Sequence, residues 1–276
     1  ASLVDAVHTA GGHVATQINH GGMQCSRETV TQTVAPSAIA EDFLQQPARA
    51  LTVAEIESLI DAYAQAARRA KMAGFDAVQL HGAHGYLINQ FLSPFVNRRT
   101  DGWGGDLQGR MRFLRDVTAA VRAEVGADYP LFIKLGMEDG REGGLSLDDG
   151  LEVVAALSEL GLDAVELSGG IGGPQVQASK AGVRLGDDEA YFRHYAKAAR
   201  AVTDLPLMLV GGLRSRAVMD DVLASGDADF ISLCRPLICE PDLPLRLQQG
   251  QPTSACISAN RCWPQGVAEG IACRCR

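Results

Sequence analysis

Surplus positive charge is missing from this 276-residue chain: 25 lysines and arginines face 33 aspartates and glutamates, a formal net charge of -8. That balance leaves no electrostatic footprint for nucleic acid or for an anionic membrane surface. No apolar run approaches the length of a bilayer span, and nothing near the first residues reads as a signal peptide. These absences predict no nucleic-acid partner and no membrane partner, with the cytoplasm as the default compartment. Cysteine is too sparse for a disulfide scaffold, with seven residues in the whole chain. Its distribution is uneven, because Cys256, Cys262, Cys273 and Cys275 crowd the end while Cys25, Cys234 and Cys239 are scattered. Such crowding points to metal or iron–sulfur ligation in a reducing compartment rather than to crosslinking. No low-complexity linker or short-period repeat interrupts the chain either. What remains is an ordinary globular composition, 46% apolar and 21% charged, at a length that fits one large domain.

Two periodicities alternate along it. Short β-rich runs begin at His13, Asp76, Pro130, Asp163, Pro206 and Asp229, and read as buried parallel strands. Helix patterns lie between them. Thr52 with Glu55 forms a capping box for an Ala-rich helix that stops at Gly74, and Ser146 with Asp149 opens another that ends by Gly161. Further helices are predicted from near Asp188 and from near Arg214, the latter stopping around Gly226, and the chain opens directly on an amphipathic helix. Repeated strand–helix alternation means a parallel sheet with helices outside it.

The polar and glycine clusters choose the architecture. Gln17 to His20, His81 to Tyr86, Lys134, Ser168 to Gly170, Gly211 with Gly212, and Arg235 each follow the C-terminal end of a strand. A doubly wound sheet uses one switch-point crevice, whereas a TIM barrel gathers its chemistry from many strand ends. No GxGxxG opens a helix after a strand. The predicted fold is therefore an α/β TIM (β/α)8 barrel in which six of the eight units are present. Residues 1–250 form that barrel, and 251–276 a cysteine-rich tail.

The stretch from Leu80 to Gly105 carries the most chemistry. His81 and His84 sit just past a buried strand with Tyr86 two residues on. Two imidazoles there can both donate to one oxygen, and a phenol can deliver a proton, which suits a reaction that builds negative charge on a carbonyl or nitro oxygen. An HxxH pair is also found as core or helix-capping histidines. Zinc fits less well, because no HExxH motif is present and the pair lacks a third ligand.

HGAHGYLINQFLSP followed by NRRTDGWGG resembles the signature segment of the old yellow enzyme family, in its NADH:flavin oxidoreductase and 2,4-dienoyl-CoA reductase-like branch. ATQINHGG, LVGGL and ISLCRPLICEPDLP extend the resemblance along essentially the whole chain. It implies an FMN-dependent ene-reductase that takes hydride from NAD(P)H and passes it to a small electrophilic alkene, as a monomer or a homo-oligomer. His81 and His84 then correspond to the pair that holds the substrate oxygen, and Tyr86 to the proton donor. Gln17 corresponds to the glutamine at the flavin pyrimidine edge, and Lys134 to the basic residue near flavin N1 and O2. Gly211, Gly212 and Arg235 correspond to the phosphate site, while Ser168, Gly169 and Gly170 line the mouth of the preceding strand. His20 reads as structural.

Four departures stand out. Trp103 replaces the usual Tyr before the GG pair, and Gly109 replaces the usual Asn before Arg110; both are expected to affect loop packing. The tail resembles the cysteine segment of the flavin/iron–sulfur members, which implies a [4Fe–4S] cluster. Cys256, Cys262 and Cys273 supply three thiolates toward it, Cys275 is an offset fourth, and Ala259 stands where a cysteine is usual. The family's first two strands have no counterpart, so the chain reads as N-terminally truncated. Two rival readings follow: a barrel remnant that binds flavin weakly or without turnover, and a flavin-free lyase with Lys134 as a Schiff base.

Overall fold

A computed structural model describes residues 2–41, 44–172, 175–263 and 270–275. Helix α1 (Leu3–Thr9) is opened by Ser2 and Asp5 in a capping box and leads into β1 (Ala15–Ile18). Residues 19–52 form an excursion that holds two short strands, β2 (Val34–Ala35) and β3 (Arg49–Ala50), paired with each other. The Thr52–Glu55 capping box opens α2 (Val53–Met72), and Gly74 turns the chain into β4 (Ala77–Gly82). Short α3 (Leu87–Leu92) and long α4 (Leu107–Val125) precede β5 (Leu131–Gly136). The remaining units are α5 (Leu147–Ala156), β6 (Ala164–Ser168), α6 (Arg193–Arg200), β7 (Leu207–Leu209), α7 (Arg216–Ala224) and β8 (Phe230–Ile231). Helices α8 (Arg235–Cys239) and α9 (Leu243–Gln248) end the barrel and precede the tail. No helix among the described residues is long and apolar enough to cross a membrane.

Six strands form one all-parallel sheet in the order β1-β4-β5-β6-β7-β8, with helices between successive strands. This is the α/β barrel architecture with six strands among the described residues. Burial grades across it. The middle strands are buried almost throughout, β6 at every residue, whereas β1 alternates between exposed and half-buried, and Phe230 of β8 is 55% exposed. The core lies between the sheet and its helices. Ile56, Tyr63 and Ala67 of α2 face Phe113, Val117 and Val121 of α4 across the same cluster. Phe91 of α3 stacks on Phe113 with centroids 4.2 Å apart, which sets the short helix that follows the histidines firmly against the core.

The NRRTDGWGG segment is a clamp. Asn97 donates 2.8 Å hydrogen bonds to the carbonyls of Phe91 and Trp103, and Arg99 donates to those of Pro36 and Leu51. The Arg112 guanidinium lies 4.1 Å from the Trp103 ring centroid, a cation–π contact that accounts for the indole. Gly109 is required by close approach, since a Cβ there would stand 2.1 Å from the Gly104 carbonyl oxygen. Buried Arg110 joins the Leu92 and Gly105 carbonyls to Asp149 at the start of α5.

Two helix boundaries differ from expectation. The helix predicted from near Asp188 begins at Arg193, because Asp188 bonds back to Arg184 and Glu189 is drawn away to the Arg214 and Ser215 amides. Ala190 at φ +53° then breaks any helical path between them. Helix α5 ends at Ala156, with turns rather than helix filling the distance to Gly161.

Candidate active site

The strand ends converge. Gln17 from β1, His81 from β4, Lys134 from β5 and Ser168 from β6 line one cavity of about 360 Å3, together with His84, Gly211, Gly212 and Arg235. Its volume falls in the range of small-molecule and cofactor sites, roughly 300–1,000 Å3. Tyr86 lies outside it. With His84, Gly170, Met23, Leu44 and Trp263, it borders a neighbouring cavity of about 470 Å3, so His84 belongs to both spaces. Gly169 lines neither, and a Cβ there would press on Val176 and the Tyr195 hydroxyl at 3.1 Å. His20 lines neither as well; its Nδ1 accepts from the Gly22 amide within its own turn.

The histidine loop is held by three side-chain amides, two of them, Asn89 and Gln90, buried. Asn89 of α3 accepts from the Gly85 amide at 2.7 Å, Gln90 donates to the Gly85 carbonyl at 2.6 Å, and Gln24 donates to the His84 carbonyl at 2.6 Å. These bonds hold His84 at φ +60°, a left-handed conformation that a non-glycine residue keeps only when its surroundings impose it. The His81 ring then lies edge-on to its neighbours, with centroids 5.2 Å from His84 and 4.8 Å from Tyr86. His84 Nε2 shares a 2.7 Å hydrogen bond with Ser168 Oγ, while the buried Nδ1 of His81 has no partner among the described residues.

Both imidazoles are neutral near pH 7. Burial, reinforced by the Lys134 charge and only partly offset by Glu166, pulls His81 down to about 4. Burial, with His81 and Lys134 adding to it, pulls His84 down to about 3. Between those values and the ordinary 6.5, the unfolded chain binds protons that the folded one does not. Stability therefore rises with pH from about 3 to 6.5 through these two groups and is level in them above that window. Chemical denaturation at pH 7.5 and pH 5.5 should show lower stability at the acid value. The double variant His81→Asn, His84→Asn should lose much of that difference; an unchanged difference would remove the pair as its source.

The opposite end of the cavity is a cradle. Gly211 at φ +130° and Gly212 at φ +73° adopt conformations that other residues rarely take, and a Cβ on Gly212 would meet the Tyr191 ring and Val183 at 3.0 Å. Arg235 stands beside them at the start of α8. Its Nη1 donates to the Lys180 carbonyl at 2.7 Å and to Asn260 Oδ1 at 2.5 Å, which ties the tail to the barrel mouth. Backbone amides at such a turn, with a guanidinium beside them, suit a phosphate. A polar end at Gln17 and Lys134, an apolar middle of Val210, Leu213 and Leu233, and this phosphate-compatible end have the character that an FMN site needs.

Lys134 does not sit in the apolar setting that a Schiff-base lysine needs. Its Nζ is 2.7 Å from Glu166 Oε1, and this corrects the lyase expectation. Glu166 and Gln79 are the polar residues most readily overlooked in the sequence. Their signal was a charged or amide side chain inside an otherwise apolar strand run.

Five cysteines meet at the tail. Cys239, Cys256, Cys262, Cys273 and Cys275 line one small space of about 30 Å3 with Ala259 and Arg235, and Cys262 also reaches the main cavity. Among the described residues no three His, Cys, Asp or Glu side chains converge as a metal ion requires. The tail nonetheless contributes to the cavity wall through Cys262, Trp263 and Ile271.

Comparison with known proteins places this geometry. The chain is 36% identical over 279 residues to the NADH oxidase of Thermoanaerobacter brockii, covering 99% of this chain and 42% of that protein. Among solved structures, a 2-naphthoyl-CoA reductase complex superposes with a TM-score of 0.84 at 30% identity, covering 92% of this chain and 41% of that one. The old yellow enzyme homologue from Zymomonas mobilis gives a TM-score of 0.74 at 31% identity, covering 91% and 71%. The chain thus spans about two fifths of the first two and most of the third. Residues 1–254 match the NADH:flavin oxidoreductase / NADH oxidase family, and the chain belongs to that family.

Proposed function

We propose that this protein binds FMN in the cavity between Gln17 and Arg235 and uses NAD(P)H to reduce an alkene conjugated to a carbonyl or nitro group. The observation that carries this reading is the meeting of two neutral imidazoles with Tyr86 beside a cavity shaped for FMN. FMN supplies hydride exchange at its N5; binding, orientation and proton supply fall to the protein. Gly211, Gly212 and Arg235 hold the phosphate, and Gln17 and Lys134 meet the pyrimidine edge. His84, shared by both spaces, and His81 grip the substrate oxygen, each donating one hydrogen bond as the negative charge grows there. Tyr86 would donate its phenolic proton to the α-carbon, the position left needing one once the bound flavin has supplied its hydride equivalent to the alkene. Residues 1–250 supply this chemistry, and residues 251–276 wall part of it.

The test is Tyr86→Phe in FMN-loaded protein, with the two half-reactions followed separately. Loss of the acid should slow alkene reduction by about 10²- to 10⁴-fold while reduction of the flavin by NAD(P)H keeps its rate. Equal losses in both halves would take Tyr86 out of this role. FMN-loaded wild-type protein that reduces no conjugated enone or nitroalkene would defeat the functional reading itself.

A further inference from the structure

Four polar side chains on adjacent strands of the sheet form a continuous hydrogen-bonded belt. Glu166 of β6 accepts from Lys134 Nζ at 2.7 Å through Oε1 and from Gln79 Nε2 at 2.9 Å through Oε2. Gln79 Oε1 in turn accepts from Gln17 Nε2 at 2.7 Å. The strand register builds this arrangement, since Gln17 pairs with Gln79 across β1 and β4, and Lys134 with Glu166 across β5 and β6. Lys134 and Glu166 are 14% and 10% accessible, and neither Glu166 nor Gln79 lines the cavity. The two inner residues touch the site only through Lys134 and Gln17.

The belt has a polarity, and it originates at one residue. A carboxylate paired with an ammonium only accepts hydrogen bonds, so Gln79 must turn its NH2 toward Glu166 and its carbonyl toward Gln17. Gln17 must then present its NH2 to Gln79, which leaves its carbonyl oxygen and second N–H for the cavity. Reading this cavity as the flavin site, we propose that Glu166 is the positioning residue of the pyrimidine end. It restrains Lys134, offsets part of its charge, and through Gln79 fixes which way the Gln17 amide faces. Replacing Glu166 by glutamine removes the negative charge and permits the belt to reverse, with residue 166 donating to Gln79 and the Gln17 amide turned over.

Potentiometric titration of FMN-loaded protein, with the FMN dissociation constant measured alongside, tests this. An unopposed Lys134 favours the reduced, negatively charged flavin. Glu166→Gln should therefore shift the reduction equilibrium at least about tenfold toward reduced flavin, roughly 30 mV upward for a two-electron couple. Glu166→Asp keeps the charge and should restore a potential near wild type. Gln79→Leu cuts the relay but spares the Lys134–Glu166 pair, so FMN should bind about tenfold more weakly, about 1.4 kcal/mol, at an unchanged potential. A purely structural Glu166 would lower the thermal midpoint of the variant without moving its potential. A folded, FMN-binding Glu166→Gln protein at the wild-type potential overturns the proposal. Should that variant fail to fold, Gln79→Leu decides, and wild-type FMN affinity there overturns it. Wild-type protein that holds no FMN would fail the flavin reading instead, a separate outcome from either.

Discussion

Replacing His81 and His84 together by alanine is expected to abolish binding of phenolate-type ligands while FMN stays bound. Both imidazoles are neutral, and the Nδ1 of His81 is buried without a partner among the described residues, so the pair holds hydrogen-bonding capacity in reserve. A donor fixed in advance, in a site that excludes water, stabilises a developing oxyanion without reorganising; removing one costs about 10²- to 10³-fold in rate. The double variant should lose at least that much in alkene turnover, with the two single losses not additive because they serve one oxygen. FMN retention is expected because the glycine cradle, Arg235, Gln17 and Lys134 are untouched. The measurement is the charge-transfer band between phenolate and flavin, titrated in wild type and variant. An undiminished band would remove the histidines from oxygen binding. Stoichiometric zinc in the wild type, lost in the variant, would assign them to a metal instead.

Residues 1–276 expressed by themselves are expected to associate, to bind FMN weakly and to turn over slowly. Among the described residues the sheet has two ends, β1 and β8, and both are more exposed than the strands between them. Unpaired strand edges offer backbone donors and acceptors to another chain, and closure is what removes such edges from a barrel. Phe230, over half exposed on β8, adds an apolar side chain to one of those edges. The glycine turn at Gly211 and Gly212 is fully formed, whereas Gln17 at the other end of the cavity stands on the exposed strand β1. Size-exclusion chromatography with light scattering and flavin stoichiometry decides the matter. A monodisperse 276-residue chain with one FMN and ordinary turnover would refute the argument.

Much of this molecule was legible before folding because its determinants are local. The capping box at Thr52, the apolar runs of β4 to β7 and the motif from His81 to Tyr86 each act over a few residues, and pattern reading recovers such features. Family resemblance added the grouping of Gln17, Lys134 and Arg235, which lie far apart along the chain yet line one cavity. The helix predicted near Asp188 failed for a nonlocal reason: Glu189, a plausible first-turn acid, is claimed by the Arg214 and Ser215 amides some 25 residues away. Tyr86 fell outside the main cavity because Asn89, Gln90 and Gln24 set the path of its loop, and nothing in HGAHGY announces those partners. The place of Trp263 in both cavity walls depends equally on Arg235 anchoring Asn260. Spacing along the chain was enough to place the strands and most helices and to mark the polar groups at the strand ends. The depressed histidines, the Lys134–Glu166 pair and the direction of the Gln17 amide arise only where β1, β4, β5 and β6 lie side by side. Burial and hydrogen-bond polarity are properties of neighbours in space, and parallel strands bring together residues that the chain keeps dozens of positions apart.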